Sequence, residues 1–264
     1  MLFRSVEAAR LIAASGHGAE LIGIHLHAGS QLRDLRAWET AVERSLATYA
    51  ELVSNGLIDA ATHARHGTLC IGGGEPVALD GSDDPAAQAN AFRAAADAAW
   101  SRAQGPSPRV RAIEPGRAVV ATATHLVARV LHIRRRTEVV SGPLALPGAS
   151  ESICERQVIL DAGMGELIRP ALYGARHPVI SIAARSGARL VSAVHGPICE
   201  STDALGAHEL PAELSRGDLI AIAGAGAYAD AMWSPYNSRP RPARLLLRAD
   251  GELSELRTRS AEAS

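Results

Sequence analysis

Two histidines, His25 and His27, lie two positions apart in the apolar run Leu21–His27, just before Gly29 and Ser30. On a strand both would face the same side. A His-x-His pair can ligate a metal, but no convincing third ligand adjoins it in the sequence. No metal is therefore expected, and a packed histidine or one stacked on a cofactor is the preferred reading. Gly72, Gly73 and Gly74 follow a second apolar run, Thr68–Ile71. Such a loop either cradles a phosphate through its backbone N–H groups or simply turns the chain. Glu114, Pro115, Gly116 and Arg117 follow a third run, Val110–Ile113. A carboxylate there can serve as a base, face solvent, or meet a ring nitrogen. Further along, Arg169, Tyr173, Cys199, Glu200 and Tyr236 form a second set of chemically capable side chains. Cys199 by itself reads equally as a small buried hydrophobe.

The elements that must position these residues change character part-way along the chain. Residues 3–15 have helical apolar spacing, residues 37–55 read as helical again and 85–103 as an Ala-rich helix, and these alternate with the three short apolar runs. This alternation predicts parallel strands with crossover helices, and all three motif loops fall at strand C-terminal ends, where such folds collect ligand groups. Beyond about residue 121, short aliphatic runs at 126–133, 157–160, 179–183, 189–194, 218–223 and 243–248 are separated by Gly, Pro and Asp. These predict an antiparallel β domain, with 141–152 as a mobile loop between two strands.

Composition is that of an ordinary globular chain: 264 residues, 47% hydrophobic, net charge −1. No excess of positive charge points to nucleic acid or anionic lipid. The three cysteines are widely spaced, as suits a reducing cytoplasm rather than a disulfide framework. The N-terminal stretch reads as an amphipathic helix, not a signal peptide, and no apolar run approaches a membrane span. All 27 basic residues are arginine; lysine is absent.

Taken together, GIHLHAGSQ (23–31), IGGGEP (71–76), EPGR (114–117), DAGMGELIRPALYGARH (161–177), PICESTD (197–203) and GAYADAMWSPYNSRPRP (226–242) resemble diaminopimelate decarboxylases. These are fold-type III, alanine-racemase-like enzymes dependent on pyridoxal phosphate, related to ornithine and arginine decarboxylases. The likeness runs from about residue 3 to about residue 248. It implies an α/β plus all-β chain: residues 1–121 as the last three β/α units of a partial (β/α)8 barrel, and 122–264 as a Greek-key-like antiparallel β domain carrying substrate and dimer-interface motifs. It implies that His27 stacks on the cofactor ring. Ser30, Gly72, Gly73, Gly74, Pro115, Gly116, Arg117 and Tyr236 hold phosphate and ring, and Glu114 faces the pyridine nitrogen. Arg169, Tyr173, Glu200, Arg117 and Tyr236 bind substrate, and Cys199 donates the proton to Cα. In the family, the positions of Cys199 and Glu200 serve the neighbouring subunit of a homodimer. Asp230 stands where a small residue is usual, and Arg244 where an acidic one is common.

Mapped onto the family, the chain begins just ahead of the sixth barrel strand, and the lysine that would hold the cofactor covalently lies upstream of Met1. Arginine cannot replace it. The expectation is a truncated diaminopimelate decarboxylase, cytoplasmic and inactive alone, whose family converts meso-diaminopimelate to L-lysine. Two other readings are one half of a split decarboxylase that pairs with a chain supplying the missing strands, and a non-catalytic regulatory relative. Another amino-acyl substrate from a natural-product pathway is also compatible. Three β/α units cannot close a barrel, which would leave an open strand edge and an exposed apolar face.

Overall fold

The structure is a computed structural model describing residues 2–16, 18–79, 82–183 and 186–259. The chain divides into two compact units, Met1–Val119 and Val120–Ser264.

The first unit begins with helix α1 (Leu2–Ala14), followed by strand β1 (Gly23–His25), α2 (Leu35–Ser54), α3 (Ala60–His66), β2 (Thr68–Cys70), α4 (Pro85–Arg102) and β3 (Val110–Ala112). The three strands form a parallel sheet in the order β1-β2-β3. Carboxylates start the helices. Asp34 accepts from the Arg36 and Ala37 amides, and Asp84 accepts from those of Ala86 and Ala87, ahead of Pro85 at the first turn. The α2 stripe Trp38, Val42 and Leu46 packs with Phe92, Ala96, Ala99 and Trp100 of α4 over Leu69 and Ile71. The Trp38 and Phe92 rings are 5.0 Å apart and tilted by 60°. Helix α3 has no apolar stripe to announce it. Its start is set by Asp59, which accepts from the Thr62 amide.

The second unit takes in the last residue of α5 (Gly116–Val120), then strands β4 (Leu126–Arg134), β5 (Glu138–Ser141), β6 (Glu151–Cys154) and β7 (Arg156–Leu160). Helix α6 (Arg169–Tyr173) precedes β8 (Val179–Ser181), β9 (Arg189–His195), β10 (Ala204–Pro211), β11 (Leu219–Ile222), β12 (Arg244–Leu247) and β13 (Leu253–Arg257). Six strands form one sheet in the order β10-β9-β7-β4-β11-β8, while β5-β6 and β12-β13 are separate hairpins. The edge strands β8 and β10 approach one another, so the sheet curls almost into a barrel. Its core alternates along the strands: Ala128 and Val130 on β4, Val158 and Leu160 on β7, Ile220 and Ile222 on β11.

One expectation is corrected. The sheet is mixed, not antiparallel, because β7 and β9 run parallel. Antiparallel neighbours need only a tight hairpin, whereas parallel ones need a long crossover. Here that crossover is 161–188, which carries α6 and sends β8 to the far edge beside β11. The 141–152 loop does join two strands, β5 and β6. It is pinned by bonds from the Leu146 amide to the Ser152 hydroxyl and from the Arg176 guanidinium to the Leu144 and Ala145 carbonyls. No helix among the described residues is long and apolar enough to cross a membrane.

Candidate functional site

In the first unit, the motif loops converge at the C-terminal ends of the three parallel strands. Backbone bonds extend the ladder beyond the strands: Leu26 N–H to Cys70 O (2.8 Å), Ile71 N–H to Ala112 O (3.0 Å) and Glu114 N–H to Gly72 O (2.8 Å). The three glycines occupy positions where no side chain fits. A Cβ on Gly72 would collide with the Leu26 carbonyl, one on Gly73 with the Glu114 carbonyl, and one on Gly74 with the Gly29 carbonyl. Gly72 and Gly74 also have φ of +68° and +113°, in the region that favours glycine. Gln31 ties the first loop to the second by accepting from the Val77 amide (2.8 Å) and donating to its carbonyl (3.0 Å). The third loop joins them through Arg117, whose Nη2 donates to Ser30 Oγ at 2.9 Å.

His27 and Ser30 are exposed on this rim. His25 and Glu114 are exposed as well, with Nε2 and Oε2 3.2 Å apart. The thiol of Cys70 completes a cluster whose donor atoms all lie within 4.8 Å of one another. Burial pushes that thiol's pKa up, and the Glu114 carboxylate adds to the shift. The neighbours that sequence spacing failed to place beside His25 thus arrive from β2 and from the loop after β3.

In the second unit, Cys199 and Glu200 are exposed on the loop between β9 and β10. That loop is shaped by Asp203, only 2% exposed, whose carboxylate accepts from the Met164 amide (2.6 Å) and the Ile198 amide (2.7 Å). Gly163 and Gly196 press against the same carboxylate too closely for any side chain. Tyr236 donates its phenolic proton to Glu200 Oε1 at 2.6 Å, which pushes the phenol's pKa up. The residues after Tyr236 are strained: Asn237 and Ser238 have φ of 56° and 55°, unusual for non-glycine residues. Glu166 steadies that segment through Arg239 Nε (3.0 Å) and also accepts from the Gly163 amide (2.9 Å). The Arg169 guanidinium lies 5.2 Å from the Tyr173 ring centre and 4.8 Å from that of Tyr228.

Residues 34–226 match the family described as the pyridoxal-dependent decarboxylase, C-terminal sheet domain. The chain belongs to that family. It is 31% identical over 241 residues to the diaminopimelate decarboxylase of Aquifex aeolicus, covering 91% of this chain and 50% of that protein. It is 34% identical over 233 residues to the Pseudomonas aeruginosa enzyme of the same name, covering 88% and 48%. Among solved structures it is similar to diaminopimelate decarboxylase from Helicobacter pylori complexed with L-lysine, at TM-score 0.71 and 29% identity, covering 97% of this chain and 57% of that one. It is also similar to the Aquifex aeolicus protein AQ1208, at TM-score 0.75 and 30% identity, covering 98% and 57%. The chain spans about half the length of the curated relatives it matches.

The family implies pyridoxal phosphate. What the first unit offers a phosphate is the Arg117 guanidinium and the Ser30 hydroxyl, 2.9 Å apart beside the three glycines. No lysine is present to form a covalent link. Sequence reasoning missed Asp203, Glu166 and Arg239. A carboxylate at the end of PICESTD was visible, but its two amide partners lie in separate loops. Asp230 and Arg244, which the resemblance marked as departures, are part of one ion-pair cluster. Asp230 bonds Arg257 at 2.6 and 3.1 Å and lies 3.2 Å from Arg241 and 3.7 Å from Arg244. Arg257 foremost, and then Arg241, hold its carboxyl below the usual range.

Proposed function

We propose that this chain provides the phosphate, ring and substrate contacts of a diaminopimelate decarboxylase and is inactive by itself. The carrying observation is that the three motif loops meet at the C-terminal ends of β1, β2 and β3 and are tied together by the Gln31–Val77 and Arg117–Ser30 bonds. In this reading residues 1–121 are the C-terminal part of the cofactor-binding barrel and 122–264 carry the substrate and dimer-interface motifs. Gly72, Gly73, Gly74, Ser30, Pro115, Gly116 and Arg117 hold the phosphate, and His27 lies against the ring. Glu114 meets the ring nitrogen and keeps it protonated. When bound, pyridoxal phosphate supplies the electron sink that decarboxylation needs.

The second set of residues recognises the amino acid. Arg169 offers a planar fork to a carboxylate and is pre-oriented by the rings of Tyr173 and Tyr228. Glu200 meets a distal ammonium, and its bond to Tyr236 sets its direction. Cys199 is the acid for Cα, on a loop whose form Asp203 imposes. The names of the curated relatives, and the L-lysine bound in the Helicobacter pylori structure, favour meso-diaminopimelate as substrate.

Activity then requires a lysine that residues 1–264 do not contain. The purified chain with pyridoxal phosphate and meso-diaminopimelate should release no carbon dioxide above background. Adding a polypeptide with the complementary barrel strands and their lysine should restore release, and Arg117→Ala should weaken it. Borohydride trapping of the cofactor onto this chain, or release by this chain alone, would overturn the reading.

A further inference from the structure

We propose that His25, Cys70 and Glu114 form a site for a thiophilic divalent cation of the zinc class. The parallel register builds the site. His25 pairs with Cys70, and Cys70 pairs with Ala112, so the last residues of β1, β2 and β3 stand side by side. Side chains two apart on extended chain share a face, which brings Glu114 onto the same side as Cys70. The opposite face, with Ile24, Leu69 and Ile71, packs against the helices. The three polar side chains are therefore turned away from the core.

Their chemistry is selective. An imidazole nitrogen, a thiol sulfur and a carboxylate oxygen form a mixed N, S, O set that suits zinc and not magnesium or calcium, which take oxygen ligands. Ligands at zinc bond lengths stand roughly 3.3–3.7 Å from one another in a tetrahedron. The His25 and Glu114 atoms are already 3.2 Å apart, and all three donors lie within 4.8 Å. The two side chains that must approach the thiol, His25 and Glu114, are both exposed. No other such trio occurs among the described residues. Exposure of His25 and Glu114 leaves the fourth position open to water or a small ligand.

The site stands on these side chains and does not depend on the cofactor reading. The two meet at Glu114, which cannot serve a cation and a ring nitrogen together, so each should weaken the other.

The test is titration of the full chain with cobalt(II), on a Cys199→Ser background that removes the exposed competing thiol. The expected result is a thiolate-to-cobalt charge-transfer band saturating at one equivalent and erased by zinc. Cys70→Ser should abolish the band. His25→Gln, at an exposed position where folding is not at stake, should weaken binding roughly tenfold or more. Absence of the band, or a band unchanged in Cys70→Ser and His25→Gln, overturns the site. Cobalt binding without pyridoxal phosphate binding would leave the cation site standing and remove only the competition at Glu114.

Discussion

The two units hold their functional residues by different means. In the first, the loops are held mainly by backbone, with the Gln31 side chain bridging two of them. Three short strands end together, glycines let carbonyls approach without side chains, and the polar groups on the rim are exposed. In the second, the loops are held by buried polar side chains. Asp203, Glu166, Arg156 and His208 are all less than a tenth exposed and each has hydrogen-bond partners. Close backbone packing suits loops whose mutual positions must be fixed without intervening side chains. A buried network suits side chains that must be aimed individually, such as Cys199 and Tyr236. Stability in the first unit should therefore respond to glycine changes and ignore rim side chains, while the second should respond to its buried polar groups.

The largest expected effect is Arg156→Met. Its guanidinium, 4% exposed, donates to the Ser192 hydroxyl and to the Leu210, Pro211 and Ala212 carbonyls, and burial lowers its pKa. Stranding those acceptors should cost about 4 kcal/mol in urea denaturation, read through hydrogen-exchange protection of β9 and β10. A cost below about 1 kcal/mol would break the contrast between the units.

Next is pH. Burial depresses the His208 pKa to about 4. The unfolded chain takes up that proton near pH 6.5, the folded chain only near 4. Acidification through that window therefore removes up to about 3 kcal/mol, and above pH 6.5 this residue contributes no slope. Comparing wild type with His208→Gln isolates the effect from carboxylate titration. Equal slopes between pH 6.5 and 4 would sink the assignment.

Gly72→Ala should cost about 2 kcal/mol, felt in the β1-β2-β3 amides and not in those of β9 and β10. The smallest effect should be Arg117→Ala. It removes one exposed hydrogen bond, so stability should fall by less than about 1 kcal/mol while affinity for inorganic phosphate drops severalfold. A large stability loss would mean that this rim is structural after all.

Helices α2 and α4 were legible in the sequence, α2 from its pattern and α4 from its alanine content. So were the three parallel strands, because each ends in a motif. Helix α3 was not legible, since Ala60–His66 carries no apolar period. Strands β10 and β13 were missed as well, and β5 and β6 were read only as the flanks of 141–152. β10 is interrupted by Gly206 at a bulge and ends at Pro211, which obscures its alternation. Of the site, the residue types were legible and their neighbours were not. His25 was read without its partners, and Asp230 and Arg244 looked like unrelated oddities until one Asp–Arg cluster joined them.

By itself the sequence determined family membership, the chemical inventory and the absence of lysine, because these are properties of residue types in order. Tertiary structure decided which residues meet. His25, Cys70 and Glu114 are distant in the chain and become neighbours only through the parallel register of three strands. The mixed sheet was likewise undecidable from local pattern. A strand's alternation of apolar residues is the same whichever way its neighbour runs, and the direction of β9 beside β7 depends on where the intervening crossover packs.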